Sequence, residues 1–257
     1  MKRNKLPYII TALTLLFLYI PIIIMVINSF NSSPYGGEWQ HFTFQWYEQL
    51  FSLRGLWHSL RNTLIIGISA SLASTILGAL AAYALYRYDT WLQKVQYGLA
   101  YLPLVMPEIL MGISLLLVFV FVQISLSLWT VFIAHTTFCV SYVIFILLAR
   151  LKNFDYSLVE AAMDLGASPW VATRKIIIPQ LMPGLISGAL LAFTISIDDY
   201  IITFFVAGPG STTLPIYIYG MIKFGLTPAV NALSTLLLLA TFIMVLLVQA
   251  FSKEVEV

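Results

Sequence analysis

The chain has 257 residues, of which 60% are hydrophobic and only 9% are charged. Soluble globular domains carry roughly 25% charged residues, so this composition excludes an ordinary soluble domain and indicates a membrane protein. The formal net charge of +2 carries no sign of nucleic-acid binding, and we expect no nucleic-acid partner.

Six apolar stretches approach or exceed the roughly 20 residues that a helix needs to cross a bilayer. They cover residues 7–27, 62–86, 95–122, 128–149, 184–206 and 229–251. We do not expect the first stretch to be a cleaved signal peptide, because it is too long and too poor in a small-residue cleavage site. We therefore predict an all-α membrane protein with six transmembrane helices, which form a single transmembrane domain over residues 1–257.

The basic residues predict the orientation of these spans, because Lys and Arg collect in cytoplasmic loops. If the N-terminus is cytoplasmic and the spans alternate, most of the 13 Lys and Arg residues lie inside: Lys2, Arg3, Lys5, Arg87, Lys94, Arg150, Lys152, Arg174, Lys175 and Lys253. Only three lie outside: Arg54, Arg61 and Lys223. Both termini and the loop 150–183 are therefore predicted to be cytoplasmic.

The loop 150–183 is predicted to begin with a short helix that ends at a glycine corner. Ser157 and Glu160 have the spacing of a capping box, in which hydroxyl and carboxylate each satisfy a free backbone N–H. Gly166 suits the left-handed conformation that ends many helices.

A second short helix is predicted to follow the corner. Ser168 has the side chain of an N-cap, and Pro169 suits the first helical position. Pro179 and Pro183 are predicted to end this helix. A water-exposed helical hairpin in an apolar chain is more typical of a docking surface than of a catalytic site.

Three acidic residues lie deep within predicted spans: Glu108, Asp198 and Asp199. Placing an aspartate at the centre of a membrane costs about 2.5–3.5 kcal/mol on insertion scales. No Lys or Arg of the chain is predicted at similar depth, so a water-filled cavity, a partner subunit or a cationic ligand must offset this cost. We predict that these carboxylates line a substrate pathway, and a purely structural role is the alternative.

Prolines and aromatic residues accompany these acids. Pro103 and Pro107 predict irregular backbone just before Glu108, which a membrane tolerates mainly beside protein or a water-filled pathway. Tyr200 follows the two aspartates and is included in the predicted pathway. Carboxylates together with ring faces are what an ammonium ligand favours, although each ring could instead pack or face lipid.

Other polar or small residues within spans have simpler interpretations. His135 is interpreted as a hydrogen-bonded packing residue, because no second His or carboxylate stands at metal-ligand spacing. Cys139 is the single cysteine, so no intrachain disulfide can form. Two small-residue pairs could allow close helix packing: Gly78 with Ala82, and Gly184 with Gly188.

Two segments are predicted to face outward. Residues 28–61 carry Trp39, Trp46, Tyr47 and Trp57, which could lie at the membrane interface or contact a partner. In the other segment, residues 207–228, we predict a short helix over residues 216–224.

The loop 150–183 resembles the EAA loop of the membrane-spanning subunits of bacterial ABC importers. The family pattern is E-A-A, three residues, G, nine residues and I-x-L-P, and Ile178 replaces the usual leucine. The matching residues are Glu160, Ala161, Ala162, Gly166, Ile176 and Pro179. The resemblance implies the permease fold of type I ABC importers, with a cytoplasmic coupling helix that seats on an ATPase and transmits its closure to the pore.

Nearly the whole chain is similar to the second permease subunit of spermidine/putrescine importers. The similar segments are 19–22, 28–31, 84–88, 196–199, 223–225 and 227–233. This resemblance implies a bacterial inner-membrane permease that moves polyamines. It also implies three partners besides membrane lipid: a homologous permease, an ATPase dimer and a periplasmic polyamine-binding protein.

The chain itself is expected to be no enzyme and to bind no cofactor. It contains no G-x-x-x-x-G-K-[ST] phosphate loop, so ATP and Mg²⁺ are expected in the partner ATPase. The alternatives are an ABC permease for another solute (a metal ion, thiamine, a phosphonate or a sugar) or an ATP-independent secondary carrier. An intramembrane enzyme lacks any supporting motif.

Overall fold

The computed structural model describes residues 5–34, 38–225 and 227–253. Helices dominate this part of the chain, and its only β pairing is an isolated bridge between Asn31 and Phe42. The helices are α1 (Leu6–Asn28), α2 (Gln45–Ser52), α3 (Arg54–Arg87), α4 (Trp91–Val105), α5 (Glu108–Phe121), α6 (Leu128–Leu151), α7 (Ser157–Asp164), α8 (Pro169–Ala172), α9 (Ile178–Asp198), α10 (Ile201–Val206), α11 (Leu214–Lys223) and α12 (Thr227–Lys253).

Among the described residues, four helical stretches are long and apolar enough to cross a membrane: α1, α3, α6 and the continuous stretch Pro169–Asp198. A fifth is present if α4 and α5 together count as one span. The sixth predicted span falls on α12, whose described apolar part, Pro228–Ile243, is shorter. Six spans therefore remain a prediction, and Lys2 and Arg3, used to orient the N-terminus, lie outside the described residues.

The predicted span 95–122 is not one continuous helix, because α4 and α5 meet at an angle of 117°. Met106 and Pro107 form the break, with ψ angles of 136° and 134°. Proline lacks an N–H and disfavours helical backbone in the residue before it. The irregularity predicted before Glu108 is thus confirmed, and it is a sharp corner rather than a kink.

The predicted span 184–206 is interrupted as well. Helix α9 ends at Asp198, Asp199 is extended with a ψ angle of 123°, and α10 starts at Ile201. The helix thus breaks between the two adjacent aspartates of the predicted pathway.

The chain divides into two compact units, one of which is His58–Ile216. Within this unit α6 is the most buried spanning helix. A Cβ atom on Gly78 of α3 would lie 2.6 Å from Val143 Cγ1, and one on Gly188 of α9 would lie 3.3 Å from the same atom. A Cβ atom on Gly184 would lie 3.1 Å from Leu147 Cδ2. The predicted close packing at these small residues is therefore confirmed, and α6 is the helix they pack against.

The other unit contains the described residues on either side of that range. Helix α1 has no buried residue. In the segment that follows, Trp46 Nε1 donates to the carbonyl of Asn31 at 2.7 Å, and the hydroxyls of Tyr47 and Ser29 are 2.7 Å apart. Trp46 and Tyr47 thus hold this segment together, whereas Trp39 and Trp57 are exposed. The predicted short helix after residue 207 is present as α11, which starts two residues earlier than expected.

Candidate functional site

The structure brings the four predicted pathway residues together around one cavity of about 730 Å³ within the unit His58–Ile216. These residues are Glu108, Asp198, Asp199 and Tyr200. The other lining residues come from α4, α5, α6, α9 and α10 and the breaks between them: Pro103, Leu104, Met106, Pro107, Met111, Phe138, Tyr142, Thr194, Ile195, Ile201 and Ile202. The described lining contains no Lys or Arg, so its formal charge is negative.

Two helix breaks place the carboxylates at this cavity. Glu108 is the first residue of α5, and Asp198 is the last residue of α9. The short helices α5 and α10 approach closely, since a Cβ atom on Gly112 would lie 2.7 Å from Phe205 Cδ2. If either break faced lipid, its backbone N–H and C=O groups would lack hydrogen-bond partners. Irregular backbone is tolerated in a membrane beside a cavity such as this one.

The carboxylates of Glu108 and Asp198 are open to this cavity. Both residues are exposed, and neither makes a hydrogen bond or ion pair with any described residue. An uncompensated carboxylate in a membrane protein usually marks a substrate or ion pathway. These two side chains are therefore placed to attract a cation.

The carboxylate of Asp199 is engaged by the protein instead. Its Oδ2 accepts hydrogen bonds from the N–H and the hydroxyl of Thr203, at 2.8 Å and 2.6 Å, and its Oδ1 accepts one from the N–H of Ile202 at 3.3 Å. Asp199 thus caps the N-terminus of α10. An aspartate just before a short apolar helix is a cap signal, which could have distinguished Asp199 from Asp198 in the sequence.

His135 of α6 joins this network. The imidazole is buried, with Nδ1 at 2.7 Å from Ser196 Oγ and Nε2 at 2.8 Å from Thr203 Oγ1 and 3.3 Å from Asp199 Oδ2. The interpretation of His135 as a hydrogen-bonded packing residue is confirmed. Its proximity to Asp199 was missed, because residues 64 positions apart in the chain show no spacing signal.

No three His, Cys, Asp or Glu side chains in the described part of the chain lie close enough together to hold a metal ion. The cavity therefore offers separate carboxylates rather than a ligand cluster.

The second candidate surface is the hairpin of α7 and α8. Gly166 has a φ angle of +85°, the N–H of Ala167 donates to the carbonyl of Ala162 at 3.0 Å, and that of Gly166 to Met163 at 2.9 Å. This pair of bonds is a Schellman motif and confirms the glycine corner. Ser168 is confirmed as an N-cap, because its Oγ accepts from the N–H of Val171 at 3.4 Å.

Two local predictions for this hairpin are wrong. Ser157 is the first helical residue and not a capping residue; Asp155 Oδ1 accepts its N–H at 3.0 Å instead. Hydrogen bonds from the side chain and the N–H of Ser157 hold the pKa of Asp155 below its usual value. Pro179 and Pro183 do not end the second helix, because a π-helical turn at Thr173–Ile177 leads directly into α9. Such a wide turn relieves the clash of a proline ring with the preceding turn.

The six residues of the EAA-type pattern lie on this hairpin, in the π-helical turn that follows it or at the start of α9. Glu160, Ala161, Gly166 and Pro179 are exposed, whereas Ala162 and Ile176 are partly buried. Two large apolar side chains beside them are also exposed, Leu165 at 89% and Trp170 at 69%. Apolar side chains this exposed at a polar helix corner are typical of a surface that a partner covers.

The hairpin is also tied to the end of α3. The guanidinium carbon of Arg87 lies 5.0 Å from the ring centre of Tyr156, and the hydroxyl of Tyr86 donates to the carbonyl of Phe154 at 3.4 Å. These two contacts would therefore transmit a movement of α7 to α3.

The fold is that of an ABC importer permease. It superposes on a chain of a bacterial ABC transporter that imports the acidic polysaccharide alginate, with a TM-score of 0.79, 17% identity and coverage of 96% of this chain and 95% of the other. A second structure, of a bacterial alginate ABC transporter in complex with a periplasmic protein bound to an alginate pentasaccharide, gives a TM-score of 0.76, 17% identity and coverage of 99% and 96%.

The chain belongs to the family described as the inner membrane component of binding-protein-dependent transport systems, which matches residues 74–257. It is 41% identical to the spermidine/putrescine transport system permease protein PotC of Escherichia coli K12, over 93% of this chain and 90% of that protein. It is also 41% identical to PotC of Haemophilus influenzae, over 98% and 96%. The putrescine permease PotI of Escherichia coli K12 is 40% identical over 92% and 86%.

Proposed function

We propose that this chain forms part of the translocation pathway of an ATP-driven polyamine importer in the bacterial inner membrane. The observation that carries the proposal is the cavity in which Glu108 and Asp198 have no partner among the described residues. Relatives of at least 40% identity that are spermidine/putrescine or putrescine permeases support the same cargo.

A polyamine suits this cavity chemically. Spermidine and putrescine are flexible chains with two or three ammonium groups, and each ammonium can approach a carboxylate or the face of an aromatic ring. Glu108 and Asp198 supply the carboxylates, and Tyr200 supplies a ring at the same cavity. The lining carries no basic side chain in the described residues, so it repels no cation. Both carboxylates are accessible rather than enclosed, which suits a pathway that must release its cargo.

The α7–α8 hairpin is proposed as the EAA-type coupling element. Its exposed Glu160, Leu165 and Trp170 would contact a partner ATPase, and Gly166 sets the shape of the corner. In this proposal the chain has six spans with both termini in the cytoplasm. ATP and Mg²⁺ act in the ATPase dimer, and this chain hydrolyses nothing and binds no cofactor.

The remaining partners complete the importer. A homologous permease forms the other half of the pathway, and a periplasmic binding protein delivers the polyamine to the outer side. Relatives from binding-protein-dependent systems support this assembly.

The proposal is tested by purifying this chain with the ATPase and permease that accompany it and reconstituting the complex in liposomes. We expect co-purification of the ATPase and uptake of radiolabelled spermidine or putrescine only with ATP and the binding protein. Uptake that needs no ATP would indicate a secondary carrier. ATP-dependent transport of a metal ion, thiamine or a phosphonate, with none of polyamine, would overturn the cargo alone.

A further inference from the structure

His135 spans the break between α9 and α10 from the neighbouring helix. Its Nδ1 contacts Ser196, in the last turn of α9, and its Nε2 contacts Thr203, in α10. A second bond from α6 holds the far end of α10, since the hydroxyl of Thr130 donates to the carbonyl of Val206 at 2.7 Å. Helix α6 therefore fixes the positions of both helices that flank the two aspartates.

We propose that His135 is a positioning residue that decides which of the two adjacent aspartates faces the cavity. It holds Asp199 in the α10 cap and thereby leaves Asp198 as the carboxylate open to the cargo. This inference deepens the proposed function and rests on it only for the identity of the cargo.

The number of available protons determines which atoms donate and which accept hydrogen bonds in this network. The single hydroxyl proton of Thr203 is donated to Asp199 Oδ2, so Thr203 Oγ1 can only accept from His135. Nε2 must therefore carry a proton, which it directs toward Thr203 Oγ1 with Asp199 Oδ2 also at 3.3 Å. The neutral Nε2–H tautomer satisfies this need and leaves Nδ1 to accept from the hydroxyl of Ser196.

The backbone conformation and burial at the break between α9 and α10 explain why Asp199 depends on its hydrogen bonds. Asp199 is extended between two helices, and its carboxylate is nearly as buried as the imidazole, with side-chain exposures of 5% and 1%. Asp198 belongs to the last turn of α9 and is exposed. If the cap were lost, the Asp199 carboxylate could no longer stay unpaired in this buried position, because burying an unpaired charge is costly. It would turn toward the cavity, which would then hold a second open carboxylate beside Asp198.

A purely structural histidine would behave differently. Its loss would lower stability or assembly without changing which carboxylate is open or how tightly the cargo is held. The test therefore measures the accessibility of each aspartate as well as transport.

The experiment uses the complete transporter in lipid nanodiscs, treated with a water-soluble carbodiimide and glycinamide. Peptide fragmentation in a mass spectrometer then assigns the modified carboxylate to Asp198 or Asp199. We expect modification at Asp198 and protection of Asp199 in the wild type. The substitution His135→Asn keeps a polar amide near Ser196 but places none near Asp199. We expect the modification of Asp199 to increase about tenfold, because the loss of one buried hydrogen bond shifts an equilibrium by about that factor.

His135→Gln is the matched control, because its amide nitrogen can occupy the place of Nε2 and restore the protection of Asp199. Thr203→Val removes the hydroxyl that joins Asp199 Oδ2 to His135 Nε2 without changing the histidine. It should expose Asp199 if His135→Asn does not assemble. In polyamine uptake, His135→Asn should lower KM by roughly fivefold, because a second open carboxylate then attracts the cationic cargo, and it should leave the ATP hydrolysis rate at saturating cargo unchanged.

Continued protection of Asp199 in both His135→Asn and Thr203→Val would overturn the proposal, as would an unchanged KM in variants where Asp199 has become accessible. If the wild type carries no polyamine, the proposed function fails, and the labelling pattern still decides the role of His135.

Discussion

Replacing Asp198 by Asn removes one of the two open carboxylates from the cavity and keeps the size of the side chain. Two unit charges about 4 Å apart attract by about 1 kcal/mol in water and about 4 kcal/mol near a protein surface. Since Asp198 is exposed in an open cavity, the attraction lies near the lower end of this interval, at about 1–2 kcal/mol. Such a loss should raise the KM of polyamine uptake by roughly 5- to 30-fold.

The assay is initial-rate uptake of radiolabelled spermidine by cells or proteoliposomes with equal amounts of assembled transporter. Asp89→Asn is the matched control, because Asp89 is an exposed carboxylate outside this cavity, 3.9 Å from Lys94. We expect the control to transport normally. A KM for Asp198→Asn within twofold of the wild type would refute the reasoning that this carboxylate attracts the cargo.

Three further changes test other parts of the structure. Gly166→Pro should abolish the coupling of ATP hydrolysis to uptake, since proline cannot adopt a φ of +85°; coupling measured as normal would mean that the corner does not contact the ATPase. Gly208→Ala should prevent assembly, because a Cβ atom at residue 208 would lie 1.8 Å from the carbonyl oxygen of Leu126. In the control Gly220→Ala the added Cβ atom meets no atom within 4 Å, so this variant should assemble normally. Equal yields of the two variants in size-exclusion chromatography would contradict this account. Asn62→Leu should lower the free energy of unfolding of the detergent-solubilised chain by about 1–3 kcal/mol, because the amide of Asn62 donates to the carbonyls of Gly210 and Thr212, each at 3.0 Å. An unchanged melting temperature would show that water replaces the amide.

The sequence was sufficient to predict most of the apolar helices, because hydropathy over some 20 residues depends little on tertiary contacts. It also predicted the glycine corner and the Ser168 cap, since both are determined by the conformational preferences of one or two residues. The irregular backbone before Glu108 was likewise predictable from Pro107. The sharpness of that corner was not, because it depends on how α5 packs against α10 at Gly112.

Proline was over-interpreted at Pro179, where a π-helical turn lets the helix continue. The capping box was wrong for a similar reason: Asp155, two residues earlier, is a better acceptor for the N–H of Ser157. In both cases a neighbouring residue offered the backbone an alternative that the pattern did not consider.

The candidate site was predicted as a set of residues but not as an arrangement. The sequence placed Glu108, Asp198 and Asp199 at membrane depth, yet it treated the two aspartates alike. Their division into an open and a capped carboxylate depends on His135, which reaches them only through the packing of α6 against α9 and α10.

The central claim, that this chain carries polyamines, is tested most directly by uptake in cells that lack the chain. We predict that deletion abolishes uptake of radiolabelled spermidine or putrescine, and that expression of the wild-type chain restores it. Polyamine uptake that is unaffected by deletion, in cells with no other polyamine importer, would contradict the account.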